Sequence, residues 1–279
     1  MTLIEDFIAG RPPAELYDTY LTPGLFEPFG DALLEGFAPE GSCLDVACGT
    51  GALTRKIARY PDVSKVVGVD VAAPMVSRAK ENASNAGLSP HYEVASVEAM
   101  PFSDGSFDAT YCQQGIQFFP DKAKAFGEIR RVTKTGGVFA GAVWTAAYDG
   151  NPVFAALEDA IARRLGEDLT PLGPFSYGDC DVLKRTIEDN RFDAAHIVRR
   201  ELDVQLPDVR TLVLFDLLFL GRPGKDGGMQ PVVAPDDPAG DAVVETLIAD
   251  IDPELSEYAA PGGMLRAPMT AHFLCAVAC

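Results

Sequence analysis

The feature that most constrains this chain is a glycine turn set between an apolar run and a helical stretch, Leu44-Asp45-Val46-Ala47-Cys48-Gly49-Thr50-Gly51. A strand ending in glycines lets the backbone approach a ligand closely, and the helix behind it directs free N–H groups at a carboxylate or phosphate. The turn stands at the head of an alternating series. Short β-type runs occur at Cys43 to Ala47, Lys65 to Asp70, His91 to Ala95, Phe107 to Cys112 and Gly137 to Trp144. Helical spacing fills Ala52 to Tyr60, Pro74 to Ala86 and Asp121 to Thr133. Strand, helix, strand at this rhythm predicts a parallel sheet with right-handed crossovers, the doubly wound α/β class. Local chemistry agrees: Pro74 suits a first helical turn, where its missing N–H is no loss, and Asn85-Ala86-Gly87 supplies a stop.

Outside residues 42 to 144 the pattern is less regular. Residues 1 to 37 read as a helical arm with the aromatic anchors Tyr17, Tyr20 and Phe26. Val153 to Leu165 and Asp179 to Asn190 read as helices, and His196 to Val204 and Thr270 to Ala278 as strands. Between Pro207 and Pro268 prolines and glycines accumulate, which predicts a long irregular insert on the substrate side. The chain carries 23 Lys+Arg against 41 Asp+Glu, a formal net charge of −18, which repels polyanions and attracts cations. Nucleic acid and anionic membranes are therefore not expected partners. Met1 to Gly10 has no basic stretch leading into an apolar one, and Leu212 to Leu220 is too short to span a bilayer and holds Asp216. Cys43, Cys48, Cys112, Cys180, Cys275 and Cys279 form no CxxC pair. They read as reduced thiols in a cytoplasmic protein rather than as disulfides or metal ligands.

The glycine turn departs from the dinucleotide fingerprint G-x-G-x-x-G, because Thr54 stands where the third glycine belongs. Asp45, four positions before Gly49, can accept hydrogen bonds from an ammonium group or from the loop itself. With Gly68-Val69-Asp70 closing the second strand, Met100-Pro101-Phe102-Ser103-Asp104-Gly105-Ser106-Phe107-Asp108 before the fourth, and Glu128-Ile129-Arg130-Arg131-Val132 in the later helix, the chain resembles the class I S-adenosylmethionine-dependent methyltransferases. Within them it is most similar to the branch typified by ubiquinone and menaquinone biosynthesis C-methyltransferases.

That resemblance implies a Rossmann-like, seven-stranded, mostly parallel sheet with an antiparallel C-terminal strand. It implies one methyltransferase domain over 1–279, with an arm or lid at 1–37, a cofactor-binding core at 38–145, and sheet completion at 146–279 around the insert 207–268. S-adenosylmethionine is the implied cofactor. Asp45, Ala47, Gly49, Thr50 and Gly51 would hold its methionyl part, and Asp70 its ribose hydroxyls. Val71 and Met75 would pack on the adenine, whose recognition falls to Ser96, Val97 and Glu98; Ser96 replaces the acid expected there. Gln113 and Gln114, at the mouth of the sheet, are either a polar rim or ligand contacts, and Gln113 is counted with the cofactor residues.

Each of these residues also has a plainer reading. Asp45 or Asp70 alone would be a helix cap; the three histidines are structural, Trp144 belongs to the core, and the acidic clusters Asp236-Asp237 and Asp250 to Glu257 are solvated faces. No general base is identifiable. The fourth strand leads into Cys112-Gln113-Gln114-Gly115 instead of the Asn/Asp-Pro-Pro-aromatic turn of nucleobase amine methyltransferases, so a small organic acceptor is expected. The alternatives are a non-catalytic S-adenosylmethionine-binding sensor and, disfavoured by Thr54, a nucleotide-dependent oxidoreductase.

Overall fold

A computed structural model describes residues 1–166, 173–219, 221–223 and 229–279. In chain order the helices α1 (Leu3–Ile8), α2 (Pro13–Tyr20) and α3 (Glu27–Gly36) precede β1 (Gly41–Val46), α4 (Ala52–Ile57), β2 (Val63–Asp70), α5 (Ala73–Asn85) and β3 (His91–Val94). Then follow β4 (Phe107–Gln113), α6 (Lys122–Val132), β5 (Thr133–Trp144), α7 (Pro152–Leu165), α8 (Cys180–Asp189) and β6 (Phe192–Leu206). The chain ends with α9 (Val209–Phe219), β7 (Gly221–Pro223), β8 (Met229–Pro231), α10 (Pro238–Ile251) and β9 (Leu265–Ala278). These elements form two compact units.

The sheet unit comprises 26–145, 177–200 and 271–279. Its strands belong to a seven-stranded sheet of order β3-β2-β1-β4-β5-β9-β6, parallel from β3 to β5 and antiparallel between β5 and β9. The central strands are apolar on both faces, as parallel strands covered by helices must be. Leu44, Val46, Val67, Val69, Phe107, Cys112, Phe139 and Val143 all enter one core with Phe126 and Ile129 of α6 and Leu183 and Ile187 of α8. Val46 pairs with Val69, and Asp45 pairs with Gly68 on one side and Tyr111 on the other, so β1, β2 and β4 end close to one level. The strand order reverses between β1 and β4, the position where doubly wound sheets open a crevice for ligands.

Local signals explain the helices. Pro74 occupies the first turn of α5, and the Asp121 carboxylate caps α6 by accepting from the Lys124 N–H at 3.0 Å. Trp144 is buried, with the edge of Phe29 4.7 Å away, as expected of a core residue.

The second unit comprises 1–25, 146–176 and 201–270. Here α10 packs on α7 and α9, and α1 on α9 and α10. The long irregular insert expected over 207–268 is corrected, since much of it is the two helices α9 and α10. The apolar run around Asp216 is α9, and Leu220 and residues 224–228 lie outside the described residues. Prolines and acids that read as loop punctuation are helix starts. Asp208 accepts from the Thr211 N–H at 3.0 Å to open α9, and Asp237 with Pro238 behind it opens α10. In the arm, Tyr17 faces Phe215 at 6.3 Å and Tyr20 stacks on Phe7 at 5.7 Å. Phe26, which belongs to the sheet unit, lies 6.3 Å from Trp144. Among the described residues no helix is long and apolar enough to cross a membrane.

Candidate functional site

The site is built where β1 and β2 end. Past Val46 the backbone turns left-handed at Ala47 (φ 55°), Gly49 (φ 53°) and Gly51 (φ 78°) before α4 begins. For Ala47 that conformation costs about 1–2 kcal/mol, strain held in place by the surrounding loop. Two hydrogen bonds fix the turn: Cys48 N–H donates to the Val69 carbonyl at 3.0 Å, and Gly51 N–H to the Cys48 carbonyl at 2.8 Å. The two glycines are needed for different reasons. A Cβ on Gly51 would lie 2.5 Å from the Tyr92 hydroxyl and 3.0 Å from Ala79 Cβ, whereas one on Gly49 would meet nothing within 4 Å. Gly51 is there for packing, and Gly49 leaves open backbone that a ligand can approach.

Asp70 closes β2 against this loop. One carboxylate oxygen accepts from Gly49 N–H at 2.9 Å and the other from Ala72 N–H at 2.9 Å. Burial raises the Asp70 pKa, opposed by these backbone donors. Beyond it Val71 is 72% exposed and Met75 is half-buried.

Asp45 is placed differently. It is 1% exposed beneath the loop and accepts from the Thr54 hydroxyl at 2.5 Å. Its partner is a side chain of α4, neither an ammonium group nor the loop. Burial pushes its pKa up to about 7, the Thr54 bond opposing and the Asp70 charge adding to the rise. Thr54 thus has a purpose where a dinucleotide loop would carry glycine. The close packing is supplied from the strand instead: a Cβ on Gly68 would come 2.9 Å from Thr54 Oγ1 and 2.7 Å from the Tyr92 ring. Thr50 is buried, and its carbonyl accepts from Arg55 at 2.7 Å and Asn82 at 3.3 Å.

The third group of expected residues follows β3. Ser96 is exposed and its hydroxyl accepts from Glu98 N–H at 3.2 Å; Val97 is half-buried against the core. Glu98 serves the start of α6, accepting from Asp121 N–H at 3.0 Å and pairing with Lys124 at 3.5 Å. The Met-Pro-Phe segment and the later Arg-Arg pair, separate motifs in the sequence, are one clamp. Arg131 donates to the Met100 carbonyl at 3.0 Å, the Phe102 carbonyl at 2.6 Å and Asp104 at 2.8 Å, while Glu128 accepts from Met100 N–H at 3.0 Å.

At the end of β4 the two glutamines are placed differently. Gln113 Nε2 donates to the Phe26 carbonyl at 2.7 Å, a contact that anchors the start of α3. Gln114 is 6% exposed, adopts φ 48°, and neither its Oε1 nor its Nε2 has a hydrogen-bond partner. Nothing in the residue type separated the two; the signal lies only in the backbone turn and the missing partners. Among the described residues no group of three His, Cys, Asp or Glu is placed to hold a metal ion. His91 and His196 are exposed, and His272 is buried with Nε2 3.0 Å from the Gly178 carbonyl.

Residues 44–141 match the protein family described as "Methyltransferase domain". The chain is 40% identical over 94 residues to a demethylmenaquinone methyltransferase of Thermus thermophilus, covering 34% of this chain and 43% of that one. It is 39% identical over 104 residues to a ubiquinone/menaquinone biosynthesis C-methyltransferase of Geotalea uraniireducens, covering 36% of this chain and 44% of the relative. The chain thus spans less than half the length of these curated relatives. In fold it is similar to the YcgJ protein of Bacillus subtilis, with a TM-score of 0.57 at 19% identity over 89% of this chain and 97% of the other. It is likewise similar to a phosphoethanolamine N-methyltransferase of Haemonchus contortus solved with S-adenosylhomocysteine, with a TM-score of 0.57 at 17% identity over 99% of this chain and 60% of that one.

Residues 44–141, which carry the glycine turn and the strands β1 to β4, therefore match a methyltransferase domain. Over that region the chain is similar to the class I S-adenosylmethionine-dependent methyltransferases.

Proposed function

We propose that this chain binds S-adenosylmethionine at the ends of β1 and β2 and transfers its methyl group to a small organic acceptor, 1–279 working as one methyltransferase domain. The observation that carries this reading is the pairing of open backbone at Gly49 with the Asp70 carboxylate 2.9 Å from the Gly49 N–H. The cofactor supplies a methyl group already activated on a sulfonium, so that transfer is an in-line displacement needing no protein nucleophile. The chain's own task is placement and exclusion of water. The Asp70 carboxylate suits two vicinal hydroxyls of a ribose, and exposed Val71 with Met75 offers an apolar surface for a purine. Ala47, Gly49, Thr50 and Gly51 would lie along the methionyl part. Asp45 would act from beneath, its carboxylate favouring a cation above the loop, while Ser96, Val97 and Glu98 would border the adenine. Six unpaired cysteines and a net charge of −18 support a reducing cytoplasmic setting without a nucleic-acid or anionic-membrane partner.

Calorimetric titration with S-adenosylmethionine, S-adenosylhomocysteine and NAD tests the reading. Binding of the first two and not the third is expected, and Asp70→Ala should weaken both by at least about tenfold through loss of charge-assisted hydrogen bonds. Absence of binding, or an Asp70→Ala variant that binds unchanged, overturns it. A chain that binds both yet methylates none of a panel of quinones, phenols and amines would be read as a sensor.

A further inference from the structure

The turn after β4 holds three buried polar atoms without partners on two neighbouring side chains: Gln114 Oε1, Gln114 Nε2 and Gln117 Oε1. Gln114 and Gln117 are 6% and 5% exposed. Buried amides are ordinarily satisfied, and each exception in a native fold calls for a reason. Neighbouring amides follow the rule: Gln113 Nε2 reaches the Phe26 carbonyl, and Gln117 Nε2 donates to the Gln114 carbonyl at 2.9 Å. The backbone is held firmly around the exception. Gln114 N–H donates to the Ala142 carbonyl at 2.8 Å while its φ stays at 48°, and Lys122 Nζ ties down the carbonyls of Gln117 at 3.2 Å and Phe119 at 2.9 Å. The turn also lies against the glycine loop, since a Cβ on Gly115 would come 2.6 Å from Ala47 Cβ. A strained residue, an unpaired carboxamide and the loop assigned to the cofactor meet at one place.

We propose that the Gln114 carboxamide, with Gln117 Oε1 on the same turn, recognises the methyl acceptor and selects a neutral molecule presenting an O–H or N–H next to a carbonyl. This rests on the methyltransferase reading above and names the acceptor chemistry it leaves open. The unpaired set is two acceptors and one donor, so its complement carries donors and at least one acceptor. A carboxamide pairs with an adjacent donor and carbonyl through two parallel hydrogen bonds. Neither glutamine carries charge; the cation on this turn, Lys122 Nζ, is engaged by the carbonyls of Gln117 and Phe119, and the nearby carboxylates are those of Asp45 and Asp70. An anionic acceptor would meet two carboxylates and only an ammonium already held by two carbonyls. A site built to hydrogen-bond a polar group rejects the analogue that lacks it far more strongly than an apolar pocket rejects a missing methylene.

The test uses the full chain saturated with S-adenosylhomocysteine and three matched probes: 2-quinolone, with N–H beside a carbonyl; its N-methyl derivative, without the donor; and quinoline-2-carboxylate, an anion. Calorimetry should show 2-quinolone bound at least about tenfold more tightly than either of the others. Gln114→Met, similar in length and apolar, should abolish that preference while leaving S-adenosylhomocysteine affinity within about twofold, and should raise the melting temperature of the ligand-free chain because two of the three unpaired polar atoms are removed. The proposal is overturned if 2-quinolone does not bind or is not preferred, if the preference survives Gln114→Met, or if that variant loses S-adenosylhomocysteine, which would make Gln114 a cofactor contact. Failure of the unaltered chain to bind S-adenosylhomocysteine would instead remove the methyltransferase reading.

Discussion

Gly49 and Gly51 share a left-handed backbone and lie two positions apart, yet they predict opposite mutant behaviour. At Gly51 an added Cβ meets Tyr92 and Ala79 at 2.5 and 3.0 Å, so Gly51→Ala combines backbone strain with overpacking and should destabilise the chain by about 2–4 kcal/mol in urea denaturation. At Gly49 the Cβ enters open space, so Gly49→Ala should cost only about 1 kcal/mol of stability. That same methyl would stand where a ligand approaches. Gly49→Ala is therefore expected to lose S-adenosylmethionine binding in a titration while melting close to the parent chain. A variant that melts and binds like the parent would show that the ligand does not approach Gly49.

At the scale of elements, the clamp from α6 to the segment before β4 is the most testable contact. Arg131 satisfies two backbone carbonyls and two carboxylates, and Glu128 returns a bond to Met100 N–H. Replacing Arg131 with Met keeps the aliphatic stem and removes every donor, so a loss of about 2–3 kcal/mol is expected. Hydrogen exchange should show residues 99–106 opening before the sheet does. The alternation of β1 to β5 with α4 to α6 was legible because its signals are local: apolar runs, Pro74 at a first turn, Asp121 at a cap. The second unit was less legible because proline was read as a loop former. Pro238 stands in a first turn, where its missing N–H has no helical partner to lose. In the candidate site, the position of Asp70 at a strand end was readable. The roles of Thr54 and Tyr92 were not, because they depend on how closely Gly68 lets two elements approach.

For the whole molecule, buried acids set how stability varies with pH. Burial raises the pKa of Asp45 in the sheet unit to about 7, and burial with the Glu158 charge does the same for half-buried Asp216 in the second unit. A carboxyl whose folded pKa lies above its unfolded value of 3.8 favours the folded chain fully below that value. The advantage is lost as pH rises toward 7. Asp108 works in the opposite sense, held at about 2 by Lys134 and Ser42, so its contribution is present above 3.8 and lost only in strong acid. Melting temperature should therefore decline between about pH 4 and pH 7. Asp45→Asn, which still accepts from Thr54, should flatten that decline and gain about 1–3 kcal/mol over the parent chain at pH 8. Parallel pH profiles for the two chains would contradict the assignment.

The displacement of the close-packing glycine from the loop to Gly68 of β2 also bears on how this site could be moved or redesigned. Writing glycine at Thr54 would not convert the loop to dinucleotide use, since it would strip the buried Asp45 of its hydroxyl partner. Grafting Asp45 to Gly51 into another sheet would place Thr54 and Tyr92 against whatever side chain the host carries at the register of Gly68. The smallest portable piece is a block drawn from three adjacent strands, with the loop, the strand glycine and the tyrosine inherited together.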